Sequence, residues 1–314
     1  MTHTTKYYEV RGLRLAYHEW GKADAPLALF FHGFLDHGLS FAPVAESLAK
    51  DFRIIAPDAR GHGHSDWIGE GGYYHFADYF HDIATLIESL GVDRLHLIGH
   101  SMGGSIATGV ASILGERVIS SVMLEGMGPP SEPFDDLPQR LARWHKGLSK
   151  KANAGTRAER KNGRRLMPDL KTAAERLSSI NSRLPPERAL AFAQTFTEKL
   201  TLDGETGFGW RYDPLHRTIG SRPFRFEEAE HLWRSIQGPV LSLWGKESVF
   251  RPENVQRRHE CLKDATIASI EDAGHNIHHD QAELVTRVIR TWLSGEYNSV
   301  AGPGVKLCEK DLSE

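Results

Sequence analysis

Cysteine is nearly missing from this chain. Cys261 and Cys308 are the only two. They are too few for a disulfide framework and far from any metal-ligand spacing, so a reducing compartment is the expectation. A charge bias is missing too. The 38 Lys and Arg against 41 Asp and Glu leave a formal net charge of −3, which gives no reason to expect nucleic acid as a partner. No apolar run approaches the roughly 18–20 residues of a membrane span. The opening MTHTTKYYEV has no apolar stretch of signal-peptide type. The expectations are a cytoplasmic setting, no membrane span, and a monomer or homodimer. Internal repeats are absent. What remains is an ordinary globular composition, 40% hydrophobic and 25% charged over 314 residues. That length suits one large domain, or one domain with a sizeable insertion.

The order of the apolar runs carries more information. Residues 6–10 and 13–19 read as a hairpin around Arg11-Gly12. LALFFH at 27–32 is a continuous apolar run of strand length, the look of a parallel strand covered on both faces. Further short strands are predicted at 52–56, 95–99 and 118–125. Helical stripes fall between them: one behind Ser40, one over 76–90 that stops at Gly91, and one over 103–114. The alternation implies a mostly parallel sheet with right-handed crossovers. It breaks off after Glu125. It resumes with strands at 240–244 and 265–270 and helices at 252–262 and 281–293. One α/β core is therefore expected from 1–126 and 234–295, a helical insertion at 127–233, and a flexible tail at 296–314.

Inside that pattern, Gly99-His100-Ser101-Met102-Gly103 fits G-x-S-x-G, between an apolar strand and a helix. Such a motif makes a sharp strand-to-helix turn that lifts a serine oxygen above the sheet edge. N–H groups at the start of the helix can then stabilise a developing oxyanion. The second oxyanion donor is expected from the loop after the early buried strand, here His32-Gly33-Phe34. Phe34 and Met102 are the predicted N–H donors. The base is expected late in the chain, where Asp272-Ala-Gly-His275 follows a strand, and His275 is the candidate. His278 and His279 follow closely, but no H-E-x-x-H helix pattern accompanies them. No metal is predicted, and these two are read as surface residues or the start of a helix. His62 and His64 are read as loop residues.

These landmarks together resemble the α/β-hydrolase superfamily: HGF at 32–34, PDARGHGHSD at 57–66, GHSMGG at 99–104 and AGH at 273–275. The match extends over roughly residues 6–295, with 127–233 where that superfamily carries a helical cap. HGFLDHGLSF, EGMGP, YDPLHR and SRPFRF make the chain most similar to the serine hydrolase-like group within it. The resemblance implies an α/β-hydrolase fold and a Ser-His-acid triad. It also exposes a gap. The usual acid slot, three residues after Gly245, holds Ser248. Some members place the acid at the end of the preceding strand, which here is Glu125. Glu125 closes an apolar strand, where a charge is poorly explained as structure, and is favoured over the alternative acid Glu247. A third possibility is that no acid is present.

The leading functional expectation is a serine hydrolase acting on carboxylic esters or related acyl compounds, without a cofactor. Hydrolysis of a C–C bond beside a ketone is the alternative, and a non-catalytic ligand-binding protein the third reading. A serine nucleophile argues against haloalkane dehalogenase or epoxide hydrolase chemistry, where an aspartate forms the ester. The expected partner is a small acyl or ester molecule. Its pocket is predicted to involve His32, Gly33, His100, Trp144, Trp210 and Tyr212, with Phe34, Phe208 and Trp233 as further aromatic candidates. The insertion is rich in Lys and Arg: 140, 143, 146, 150, 151, 157, 160, 161, 164, 165 and 171. That suggests either an anionic substrate or a plain solvated face.

Overall fold

The structure is a computed structural model, and it describes residues 3–149, 156–250 and 254–308. Among them, nine strands form one sheet. In chain order these are β1 (Thr4–Val10), β2 (Leu13–Trp20), β3 (Leu27–Phe31), β4 (Arg53–Pro57), β5 (Leu95–His100), β6 (Val118–Leu124), β9 (Val240–Gly245), β10 (Ala265–Ile270) and β11 (Val305–Leu307). The two intervening strands, β7 (Thr197–Leu202) and β8 (Glu205–Trp210), pair with each other elsewhere. Sheet order is β1-β2-β4-β3-β5-β6-β9-β10-β11. The six strands from β4 to β10 are parallel, while β1, β2 and β11 run antiparallel at the edges.

The order matters for function. From β3 the chain steps one way to β4, then crosses back to β5 on the other side. The order reverses there, so the loops after β3 and β5 leave in opposite directions and open a crevice at their carboxyl ends. HGF follows β3 and Ser101 follows β5.

Helices cover both faces. On one lie α2 (Phe76–Leu90), α3 (Met102–Leu114) and α8 (Phe226–Ser235), packed with Leu29, Leu97 and Met123. On the other lie α1 (Ala42–Leu48) and α11 (Ala282–Leu293), packed with Phe30, Ile98 and Leu243. All five residues of β3 are buried. This accounts for its unbroken apolar run: neither face of the strand meets water. Each such Leu or Phe contributes about 1.5–3 kcal/mol by burial. The helix α9 (Val255–Glu260) leads into β10, and the short α10 (Ile277–Asp280) precedes α11.

Between the sheet neighbours β6 and β9 the chain makes a long excursion. It holds α4 (Leu137–Leu148), α5 (Arg157–Asn162), α6 (Leu170–Ile180) and α7 (Pro186–Phe196). Met167, Ala173, Phe192 and Phe196 form a small separate core there. The excursion is not wholly helical as expected. β7 and β8 form a hairpin turned by Asp203 and Gly204, both at positive φ (50° and 85°). Asp-Gly is the dipeptide that such a turn favours. The expected flexible tail is also corrected. Val305–Leu307 pairs with β10, because that edge offers unpaired backbone groups and Val305 buries its side chain. Residues 309–314 lie outside the described residues. No helix among the described residues is long and apolar enough to cross a membrane.

Candidate active site

The backbone is strained where the strands end. Four non-glycine residues with positive φ stand just beyond β3, β5, β6 and β10: Leu35 (60°), Ser101 (51°), Glu125 (53°) and Asp272 (54°). Each such conformation costs on the order of 1–3 kcal/mol and persists only where its surroundings fix it. For Ser101 the surroundings are close backbone contacts. A Cβ on Gly99 would lie 2.3 Å from the Gly103 carbonyl oxygen, and one on Gly103 would lie 2.1 Å from that of Phe31. Both motif glycines are thus required by space. The Ser101 N–H donates to the Leu124 carbonyl at 3.0 Å, which ties the turn to β6.

This turn places the half-buried Ser101 at the N-cap of α3. Its Oγ lies 3.0 Å from His275 Nε2, and His275 Nδ1 lies 3.1 Å from Glu125 Oε2. Glu125 is buried and accepts two more hydrogen bonds. The Gly245 N–H donates to Oε1 at 2.7 Å and the Ser248 hydroxyl to Oε2 at 2.7 Å. Burial pushes the Glu125 carboxyl above the ordinary glutamate range, against the pull of these donors. Ser248, in the slot where a carboxylate was sought, therefore braces the carboxylate that comes from the neighbouring strand. Glu247 goes elsewhere. It is exposed and pairs with Arg183.

The Phe34 and Met102 N–H groups donate to no backbone acceptor among the described residues. A Cβ on Gly33 would lie 3.6 Å from Ser101 Cβ, so the HGF loop runs directly beside the serine. His32 holds that loop. Its Nδ1–H donates to the Gly33 carbonyl at 2.7 Å, and its Nε2 accepts from the Ala59 N–H at 3.0 Å. Burial lowers its pKa, and both ring nitrogens are spent, so His32 is a brace rather than a pocket wall. His100 is also buried, and its Nε2–H donates to the His275 carbonyl at 2.9 Å.

An open cleft of about 520 Å³ lies beside Phe34, lined by His216, Arg217, Thr218, Ile219 and Gly220. Trp144, Trp210 and Tyr212 do not line it. Trp144 packs edge-on against Tyr73, Trp210 joins the small core of the excursion, and Tyr212 pairs with Arg217. Phe208 joins that same small core, and Trp233 packs α8 onto the sheet. Two neighbours of the site were missed by sequence reasoning. Phe250 stacks on the His275 ring, centroids 4.5 Å apart and 28° between planes. His216 stacks on His62 and Tyr74 at 4.1 and 3.8 Å. The only signal for His216 was its place in YDPLHR. His278 and His279 are not surface residues: both are buried, because α10 tucks beneath α11 and Phe41 stacks on His278.

Several basic residues of the excursion carry acidic partners, most of them within the excursion itself. Arg160 and Asp213 form a buried ion pair, which Tyr74 joins through its hydroxyl, 2.9 Å from Asp213. Arg157 pairs with Asp66, Arg164 with Glu198, Arg140 with Glu132 and Lys171 with Glu175. Lys161 and Arg164 lie over the Trp67 ring. Five of the nine described Lys and Arg residues between 140 and 171 thus carry an acidic partner, which weakens the reading of an anion-binding face. Lys150 and Lys151 lie outside the described residues.

A strained serine at a strand–helix turn is thus hydrogen-bonded to a histidine, and the histidine to a buried carboxylate, the two coming from other strand ends. The sequence matches the α/β-hydrolase fold family over residues 26–282, and the chain belongs to that family of hydrolases. It is 28% identical over 284 residues to the 3-hydroxybutyrate-oligomer hydrolase of Cupriavidus necator, covering 83% of this chain and 87% of that one. It is 26% identical over 281 residues to a serine hydrolase-like protein of Danio rerio, covering 87% and 83%. Among solved structures, the thioesterase domain from the curacin biosynthetic pathway superposes with a TM-score of 0.81 at 28% identity, over 93% of this chain and all of that domain.

Proposed function

We propose that the protein is a serine hydrolase that cleaves carboxylic esters or related acyl compounds through an acyl-enzyme on Ser101. The observation that carries this reading is the hydrogen-bonded chain Ser101–His275–Glu125, at 3.0 and 3.1 Å. In this scheme Ser101 Oγ attacks the acyl carbonyl while His275 Nε2 takes its proton. Glu125 holds the ring orientation from Nδ1 and balances the imidazolium charge. The Phe34 and Met102 N–H groups receive the oxyanion. Collapse of the tetrahedral intermediate breaks the bond to the leaving group, which takes the proton from His275. Water, activated by His275, then attacks the acyl-enzyme in the same way and releases the acid. Ser101 bears the strain because that conformation aims its oxygen at the crevice.

Residues 127–225 act in this reading as a cap; the expected boundary at 233 is shortened because α8 packs onto the sheet. The Phe34 cleft, with Ile219 and backbone on its far side, receives a small acyl substrate. The names of two relatives, an oligomer hydrolase and a thioesterase, favour acyl–oxygen or acyl–sulfur cleavage. The test combines fluorophosphonate labelling with turnover of aryl esters beside vinylogous diketones. Ester turnover and labelling are expected in the wild type, and both are expected to vanish in Ser101→Ala. Folded wild-type protein that neither labels nor hydrolyses esters would sink the proposal, and diketone turnover alone would replace it with C–C hydrolysis.

A further inference from the structure

Three side chains gather directly behind Ser101 that the scheme above does not use. Asp36 follows β3, His100 closes β5 and His278 stands in α10. One ligand-capable atom from each lies within 4.8 Å of the others. His100 and His278 are 3% and 0% exposed. Yet His100 Nδ1 and both ring nitrogens of His278 reach no hydrogen-bond partner. A buried polar atom left unsatisfied costs about 1–3 kcal/mol, and native proteins nearly always satisfy it with protein, water or an ion.

The histidines are already oriented. His100 donates from Nε2 to the His275 carbonyl, which fixes its proton there and leaves Nδ1 a bare lone pair. Metal-binding imidazoles are held in this way, with the second nitrogen on a carbonyl or carboxylate. Phe41, stacked at 4.7 Å, holds the plane of His278. Asp36 is half-buried on a loop, where the His37 N–H donates to its Oδ1 at 2.7 Å, and it supplies the carboxylate of the set once a metal displaces its proton.

We propose that Asp36, His100 and His278 form a binding site for a divalent transition-metal ion such as Zn²⁺ or Co²⁺. Two imidazoles and one carboxylate suit these ions and leave one tetrahedral position for water, whereas Mg²⁺ and Ca²⁺ prefer all-oxygen sites. Bonds of about 2.0–2.2 Å put tetrahedral ligand atoms roughly 3.4 Å apart, so the three atoms close by at most about 1.4 Å. No H-E-x-x-H spacing is involved, because the ligands come from a loop, a strand end and a short helix that are far apart in the chain. Occupancy has a consequence for activity. His100 is the peptide neighbour of Ser101 and holds the His275 carbonyl. Drawing its ring toward Asp36 pulls on both, and the ion inhibits reversibly. That consequence rests on the proposed serine chemistry, but the binding itself does not.

The binding is measured with Zn²⁺ by calorimetry and with Co²⁺ by visible absorption, whatever the activity. One ion per chain is expected in the wild type and in Ser101→Ala, with affinity at least tenfold weaker in Asp36→Asn and His278→Asn. Crystals of the unaltered protein soaked in Zn²⁺ should show an anomalous peak between the three side chains, a readout that needs no variant to fold. No binding by the wild type, a peak elsewhere, or affinity unchanged in the folded variants would each overturn the site. In the ester assay, Zn²⁺ is expected to inhibit and chelator to restore turnover. Inhibition that persists undiminished in His278→Asn would place its origin outside this cluster.

Discussion

Along the carboxyl edge of the sheet, Ser101 and Glu125 each stand one residue beyond a parallel strand, and His275 stands five beyond another. Their positions are set mainly by backbone: strand register, a forced turn at Ser101, and the Gly245 N–H that meets Glu125. The excursion between β6 and β9 is held differently. It docks through side chains reaching across long sequence distances, as Arg160 does to the Ile68 carbonyl at 2.7 Å and Tyr74 does to Asp213, the ion-pair partner of Arg160, at 2.9 Å. Arg258 does the same at the start of the excursion. Its guanidinium donates to the carbonyls of Met127, Gly128 and Pro129 at 2.6–2.9 Å. Burial lowers its pKa to about 10. The contrast teaches where each kind of change will act. Chemistry should answer to the strand ends, and stability to the side-chain clamps.

The sharpest way to break that division is at the acid. Glu125→Gln is expected to lower kcat for ester hydrolysis by roughly 10⁴ with the fold intact, the loss seen when a triad acid becomes an amide. Glu247→Gln should leave kcat within a fewfold of wild type, since its partner is Arg183. Steady-state kinetics of the two variants side by side decide this, and the reverse pattern would remove Glu125 from the mechanism.

The clamp comes next. Arg160→Met leaves Asp213 buried without its cation and is expected to cost about 3–5 kcal/mol in urea unfolding. A cost under about 1 kcal/mol would mean the excursion is held by its apolar contacts instead. Ser248→Ala tests the strand-end half on a smaller scale. It removes one hydroxyl donation to a buried carboxylate, worth about 1.5–3 kcal/mol. A fall of about ten- to a hundredfold in kcat is expected, with KM nearly unchanged. An altered KM with normal kcat would mark Ser248 as a substrate contact.

Acid pH probes both regions at once. Burial holds His96 down to about 4, and His216 and His279 down to about 3. Unfolded, each takes a proton near pH 6.5. Below that pH the unfolded state binds more protons than the folded one, so stability is full above 6.5 and falls as the pH drops towards 3–4. Each such imidazole is expected to cost about 1 kcal/mol between pH 6.5 and 5.5. Chemical denaturation across that interval should show the decline, and a flat profile would mean these rings are accessible to protons in the folded state.

Much of the core is legible in the sequence. The strand at 27–32, the G-x-S-x-G turn and the glycine stop at Gly91 each express a local rule, in which an apolar run, a sterically required glycine or a left-handed cap decides the backbone. The excursion resists for the opposite reason. Trp144, Trp210 and Tyr212 carry the same aromatic chemistry whether they wall a pocket or pack a helix, and only packing separates the two. Phe250 gives no signal at all, because stacking on His275 is a contact between loops after β9 and β10. The hairpin at 197–210 is announced by Asp203-Gly204 but lies inside a stretch that reads as helical throughout.

The sequence by itself determined the alternation of strands and helices in the α/β core, the nucleophile turn and the candidate serine and histidine. These depend on residues close together in the chain. It also raised the problem of the acid, by putting Ser248 where a carboxylate was sought. Only the tertiary structure could answer it. The sequence favours Glu125 over Glu247 only by its place at a strand end, but β6 and β9 are sheet neighbours, and that pairing sets Gly245 N–H and Ser248 against the Glu125 carboxylate while Glu247 turns outward to Arg183. A carboxylate can be kept buried only where donors meet it, and those donors lie about 120 residues away along the chain.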